Sequence, residues 1–168
     1  QNPIEQEGTY TLPEAQLDRF MFMLHVDYPE REQEMEVLRR TTGGPRPAPS
    51  RVFRGDEVRA LQDLVRSVPV PEELVGRVVD LVRATRPGSQ TVPEVSEWLQ
   101  WGAGPRSGQM LLLGAKARAL WHGRFHVSSA DIRTLAHPVL RHRLVINFAG
   151  QAEGVDADQL INRLLENF

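Results

Sequence analysis

The longest helical pattern in the chain lies between Pro105 and Trp121. At about 100° per residue, Met110, Leu113, Ala117, Leu120 and Trp121 share one stripe, while Leu112, Ala115 and Ala119 share a second. Two apolar stripes predict a helix covered on two sides. Gln109 and Lys116 fill one polar gap, and Ser107, Arg118 and His122 fill the other. The pattern predicts the central member of a helical domain, entered through Gly102-Ala103-Gly104 and ended by Gly123 as a left-handed cap.

Shorter patterns flank it. Pro13 is placed to open a short helix through Gln16, and Pro29 to open another through about Arg40, with Met35 and Leu38 inside. Thr41 to Ser50 reads as a linker. Val58, Leu61, Leu64, Val65 and Val68 predict one amphipathic helix, and Leu74, Val75, Val78, Leu81 and Val82 another. Gln90 to Trp101 fits either extended chain or a helical turn, and Arg124 to Val127 a short extended piece. Ser128 to Asp131 has capping-box spacing before Ile132, Leu135, Val139 and Leu140. After a loop at Gly150 to Gly154, Asp156 caps a final helix with Leu160, Ile161, Leu164 and Leu165. The exception to this helical periodicity is Phe20 to Val26. That unbroken apolar run between Arg19 and Asp27 predicts a strand buried on both faces, as in a parallel sheet, yet nothing downstream supplies several partner strands. Without them Phe20 to Leu24 is expected to pair with another chain or to pack abnormally.

Composition narrows the classes. The 168 residues are 40 % hydrophobic and 25 % charged, enough for one globular domain with its own core. Twenty Lys and Arg against 22 Asp and Glu give a formal charge of −2, so no global basic field recruits nucleic acid or an anionic membrane. The lack of cysteine excludes disulfides and thiolate metal sites and suits a reducing compartment, so a cytoplasmic location is expected. No apolar run reaches the roughly 20 residues of a membrane span.

Candidate chemistry is sparse. Arg106 falls in the first turn of the central helix, where exposed N–H groups and the helix dipole favour an anion and a guanidinium adds bidentate donors for phosphate. His122 and His126 have chelating spacing, but Gly123 should break the helix between them and no third ligand accompanies them, so no metal site is expected. No Gly-x-Ser-x-Gly elbow and no Gly-x-x-x-x-Gly-Lys-Ser/Thr phosphate loop occurs. Arg141, His142 and Arg143 cluster near a predicted helix end. Cations there offset the C-terminal dipole, and the absence of interleaved aromatics disfavours nucleic-acid binding.

Gln1-Asn2-Pro3-Ile4-Glu5-Gln6-Glu7-Gly8-Thr9-Tyr10, followed by Leu12-Pro13-Glu14-Ala15-Gln16-Leu17-Asp18-Arg19-Phe20, closely resembles the late part of the ATPase core of MoxR-family AAA+ proteins. Gly102-Ala103-Gly104-Pro105-Arg106 is similar to that family's Gly-Ala-Ser-Pro-Arg. Ala84-Thr85-Arg86, Gly123-Arg124, Asp131-Ile132 and Val139 to Leu144 look like its helical lid. Thr11 stands where proline is usual and Gly104 where serine is usual.

The resemblance implies a mainly α fold: a helical-bundle AAA+ lid domain preceded by a short loop and a strand remnant of the α/β ATPase core. The implied boundaries are residues 1–27 for the core remnant and 28–168 for the lid, with the linker at 41–50. It makes Asn2 the first-sensor residue that orients the attacking water. Arg19 becomes the arginine finger reaching into a neighbouring subunit, with Asp18 beside it at that interface, and Arg106 the second sensor contacting phosphate in its own subunit. The activity implied is ATP hydrolysis by the full-length protein, with ATP and Mg2+ bound by parts upstream of Gln1; this portion alone is expected to be inactive and to bind neither. The partners implied are further copies in a ring, expected to be hexameric, and an unknown client that is remodelled, matured or loaded with metal. The alternative is a stand-alone helical interaction module, or a nucleic-acid-binding one acting through Arg141 to Arg143.

Overall fold

The computed structural model describes residues 12–44 and 48–168. In chain order the elements are α1 (Glu14–Leu17), α2 (Arg31–Thr42), α3 (Gly55–Ser67), α4 (Glu72–Ala84), α5 (Pro93–Trp98), β1 (Leu99–Trp101), α6 (Pro105–Trp121), α7 (Ser129–Leu140), a 3-10 turn at Arg141–Arg143, β2 (Val145–Ile146), α8 (Phe148–Ala152) and α9 (Ala157–Glu166). The fold is mainly α, as an AAA lid requires. The described residues form two compact units: Leu64–Phe168 together with the chain up to Met23, and Leu24–Asp63.

The larger unit is built around α6, which packs against α7 on one side and α4 on another; α9 packs against α7, α4 and α5. Its core joins Val78, Leu81 and Val82 of α4, Leu111 and Ala115 of α6, Ile132, Ala136 and Val139 of α7, and Leu160, Ile161 and Leu164 of α9. The caps follow local chemistry. Gly123 closes α6 at φ +68, a backbone state that costs glycine little, and the Arg124 N–H reaches back to the Ala119 carbonyl at 2.8 Å. Capping boxes open α7 at Ser128 and Asp131 and α9 at Asp156 and Gln159.

Several expectations are corrected. The inward face of α6 is Ser107, Leu111, Gly114, Ala115 and Ala119, whereas Ala117 and Trp121 face solvent. Small residues win because two neighbouring helices approach closely, which large side chains on that face would prevent. Gln90 to Trp101 is both a helical turn and an extended piece: β1 pairs antiparallel with β2 through Leu99↔Ile146 and Trp101↔Val145. Arg124 to Val127 forms no strand, and α8 occupies part of the expected loop at Gly150 to Gly154.

The run Phe20 to Val26 is the largest departure. It is neither strand nor buried: Phe20 is 57 %, Leu24 70 % and Val26 90 % exposed. A strand needs a ladder partner, and no neighbouring strand adjoins it among the described residues. Its first residues instead lie as a strap along the C-terminal end of α7, where the Met23 N–H donates to the Pro138 carbonyl at 2.8 Å. The expectation that Phe20 to Leu24 pairs with another chain or packs abnormally is not met: Phe20, Phe22 and Leu24 are exposed coil, and the Met23 backbone is held by the end of α7.

In the smaller unit, a capping box at Glu30 and Gln33 opens α2, and the Arg54 N–H donates to Glu57 Oε2 at 2.6 Å at the start of α3. Neither helix buries a residue. Met35 is half-buried, while Leu38, expected to face inward, is exposed. The expected linker starts late, because Thr41 and Thr42 stay helical and return their hydroxyls to the Val37 and Leu38 carbonyls.

Candidate functional site

The start of α6 is fixed from below by Thr85. This buried threonine donates its hydroxyl to the Val82 carbonyl at 2.7 Å and accepts the Ala103 N–H at 2.8 Å. Gly102 lies so close to it that an added Cβ would stand 2.2 Å from the Thr85 carbonyl oxygen. The approach loop is therefore seated against the end of α4, and Pro105 and Arg106 open the helix from a fixed base.

Arg106 does not project alone into solvent. Its Nη1 donates to Asp18 Oδ2 at 2.5 Å, while the other carboxylate oxygen, Oδ1, accepts from Arg143 Nε at 2.9 Å. Partial burial of Asp18 would raise its pKa, but hydrogen bonds and charge from Arg143 and Arg106 outweigh that and hold it below the ordinary carboxylate value. Asp18 thus joins the two ends of the larger unit, with Arg19 next to it in sequence.

Arg143 is 6 % exposed. Besides Asp18 Oδ1 it reaches the Asp18 carbonyl at 2.7 Å, the Phe20 carbonyl at 2.6 Å, the Met21 carbonyl at 3.5 Å and the Val139 carbonyl. Beside it the His142 Nε2–H donates to the Phe20 carbonyl at 3.1 Å. Burial and the neighbouring Arg143 charge both lower the His142 pKa, so the ring is neutral at pH 7. Arg141 pairs with Asp158, through Nε at 3.1 Å and Nη2 at 3.1 Å. The basic cluster is thereby committed to internal partners and presents no solvated patch for a nucleic-acid backbone.

A second ionic knot secures the far end of α6. The buried Asp131 accepts from Arg118 Nη1 at 2.6 Å, Arg124 Nη2 at 2.5 Å and Nη1 at 2.7 Å, the Ser128 N–H at 2.9 Å and the Ser128 hydroxyl at 2.8 Å. Burial alone would push this carboxyl up; the Arg124, Ser128 and Arg118 hydrogen bonds reverse that and hold it far below the usual range.

Of the residues singled out in the sequence, Asp18 and Arg106 meet directly, and Arg19 is exposed beside them with no ion pair among the described residues. Asn2 lies outside the described residues. Sequence reasoning did not single out Thr85, and named Arg143 only within the Arg141 to Arg143 cluster of the alternative nucleic-acid reading. Arg143 nonetheless carries a signal, since it stands among Val139, Leu140 and Leu144, which are all buried. No group of three metal-ligating side chains occurs among the described residues, and no helix there is long and apolar enough to cross a membrane.

Residues 94–164 match the AAA lid domain, and residues 1–22 match the ATPase family associated with various cellular activities (AAA). Across 99 % of its length the chain is 40 % identical to Chaperone MoxR1 of Mycobacterium tuberculosis, covering 44 % of that protein. The chain belongs to the MoxR family of AAA proteins. Protein MoxR of Paracoccus denitrificans is 29 % identical over 87 % of this chain and 47 % of its own. A crystal structure from Cytophaga hutchinsonii, described as an inferred ATPase, superposes with a TM-score of 0.92 at 35 % identity, covering all of this chain and 52 % of that one. The chain thus spans about half the length of the MoxR relatives it matches. The matched AAA lid segment contains α6 with Arg106 and the Arg141–Arg143 turn, and the other matched segment contains Asp18 and Arg19.

Proposed function

We propose that this chain is the lid and trans-acting arginine portion of a AAA+ ATPase that uses ATP hydrolysis in a ring to remodel or mature a partner protein, metal insertion included. The observation that carries the reading is the Asp18 carboxylate, which sits beside Arg19 and holds Arg106 at 2.5 Å. Asp18 thus holds Arg106 directly and precedes Arg19 in sequence, so one short segment carries a partner for the first arginine and the second arginine itself.

In phosphoryl transfer the protein's task is positioning and electrostatic stabilisation, because charge spreads over the γ-phosphate oxygens in the transition state. Arg106 suits this at the first turn of α6: its side chain is 46 % exposed, and a guanidinium can trade a carboxylate for a phosphate of the same geometry. Arg19 serves the next subunit, which ties turnover to assembly. Asn2 orients the attacking water. Mg2+ would neutralise phosphate charge when bound. Movement of Arg106 between Asp18 and phosphate shifts α6 and the bundle packed on it, which transmits nucleotide state to a client.

The test is turnover by the full-length protein. Arg19→Ala should still bind ATP and lose most of its ATPase activity, and mixing it with subunits that lack the phosphate-loop lysine should restore part of it. Unchanged turnover, or no restoration on mixing, refutes the trans role.

A further inference from the structure

The Asp18–Met21 segment has little to hold it by itself. α1, which precedes it, is four residues long and buries none of them, and no secondary structure follows before α2. The reach of Arg143 is therefore disproportionate. An arginine carries five N–H donors, and here all five are used. Nε takes Asp18 Oδ1, Nη2 takes the Asp18 and Phe20 carbonyls, and Nη1 takes the Met21 and Val139 carbonyls. Four of the five acceptors belong to the segment. The fifth anchors the guanidinium to the end of α7, where helix carbonyls have no partner of their own and a cation is favoured.

We infer that Arg143 is a positioning residue for Arg19, an inference that rests on the reading of Arg19 as the group supplied to a neighbouring subunit. The clamped carbonyls of Asp18 and Phe20 lie on the two sides of Arg19, so its backbone is pinned before and after it while its side chain stays exposed. The Met21 side chain adds a seat: a Cβ on Gly114 of α6 would lie 3.1 Å from Met21 Cε, so the missing side chain leaves room for it. Arg143 thereby sets where the Arg19 guanidinium can reach without touching nucleotide itself. A lysine cannot substitute, because a single ammonium nitrogen does not span acceptors on two sides of a residue.

The experiment uses the full-length protein with R143K, R143M and R19A, reading thermal stability, ATP turnover and mixed-subunit turnover. R143K should stay folded and lose about 10-fold to 100-fold in kcat, as a misplaced catalytic group does, with KM for ATP within about twofold. Adding subunits that keep Arg19 and Arg143 but lack the phosphate-loop lysine should raise its turnover, because they present a pinned Arg19 to its intact nucleotide site. Folded R143K or R143M with parental kcat, where R19A has lost it, overturns the inference. So does a loss that mixing fails to restore, which places the damage in the variant's own site through Arg106. If R19A itself keeps full turnover, the functional reading of Arg19 falls first, and the two failures are told apart. Should both Arg143 variants unfold, Asp18→Asn carries the test: a smaller kcat loss restored by mixing supports the clamp, and an unrestored loss overturns it.

Discussion

Asp18 and Arg106, 88 residues apart in sequence, meet at 2.5 Å, and Arg143 takes the other oxygen of the same carboxylate. One carboxylate therefore pairs with two guanidinium groups, leaving one positive charge over, and the environments of the two differ. Arg143 is enclosed and Arg106 is half in water, so the two pairs should differ in strength.

Double-mutant cycles in urea unfolding should separate them. The Asp18–Arg106 coupling is screened by solvent and should come to about 0.5–1 kcal/mol, falling with added salt. The Asp18–Arg143 coupling should reach about 2 kcal/mol, because the bond is charge-assisted and its Arg143 partner is enclosed. Equal couplings would mean that burial does not distinguish the pairs.

Asp131 should be a principal contributor to acid stability. Asp131→Asn leaves Arg118 and Arg124 around a neutral amide and should cost about 3 kcal/mol. The folded carboxyl titrates below its unfolded value, so its contribution is complete above about pH 4 and is lost as pH falls towards the folded value. The variant should therefore show a flatter decline in melting temperature below pH 4 than the parent.

His142 acts in a higher window. Its folded pKa is depressed by burial and by Arg143, so the unfolded chain takes up its proton first as pH falls. Its contribution is present above about pH 6.5 and is lost as pH drops from there towards the folded value. His142→Gln should remove that slope from a melting-temperature profile between pH 5 and 7; a parent profile flat across that interval would contradict the assignment.

Two glycines that approach α6 should behave oppositely. Gly102→Ala forces a Cβ to 2.2 Å from the Thr85 carbonyl and should cost several kcal/mol or abolish folding. Gly104 has open space around its Cβ and caps α6 with no side-chain hydrogen bond, so Gly104→Ser should raise stability by a few tenths of a kcal/mol. Circular dichroism melts of the two variants give the comparison. The residue in which this chain departs from its family's usual motif is therefore sterically replaceable.

Much of the bundle is legible in the order of residues alone. The limits of α4, α6, α7 and α9 follow from local rules: Pro at the first turn, Gly123 at a left-handed cap, Asp131 and Gln159 in capping boxes. These depend on residues three or four apart, so sequence contains them. The candidate site is legible in part, through motifs that single out Asp18, Arg19 and Arg106.

What sequence could not supply was how segments far apart meet. Phe20 to Val26 carries the composition of a buried strand, but burial is decided by a neighbour, and the described structure offers this run a helix end rather than a sheet. Ser107 reads as polar surface and is buried, because α6 turns its small residues to the closest helices. Arg143 reads as one cation among three and becomes the clamp for a segment 122 to 125 residues away. Local hydrogen bonding and apolar periodicity thus determined the helices and their ends. Only the tertiary structure decided which charges are paired, because an ion pair depends on the distance between side chains rather than on their order along the chain.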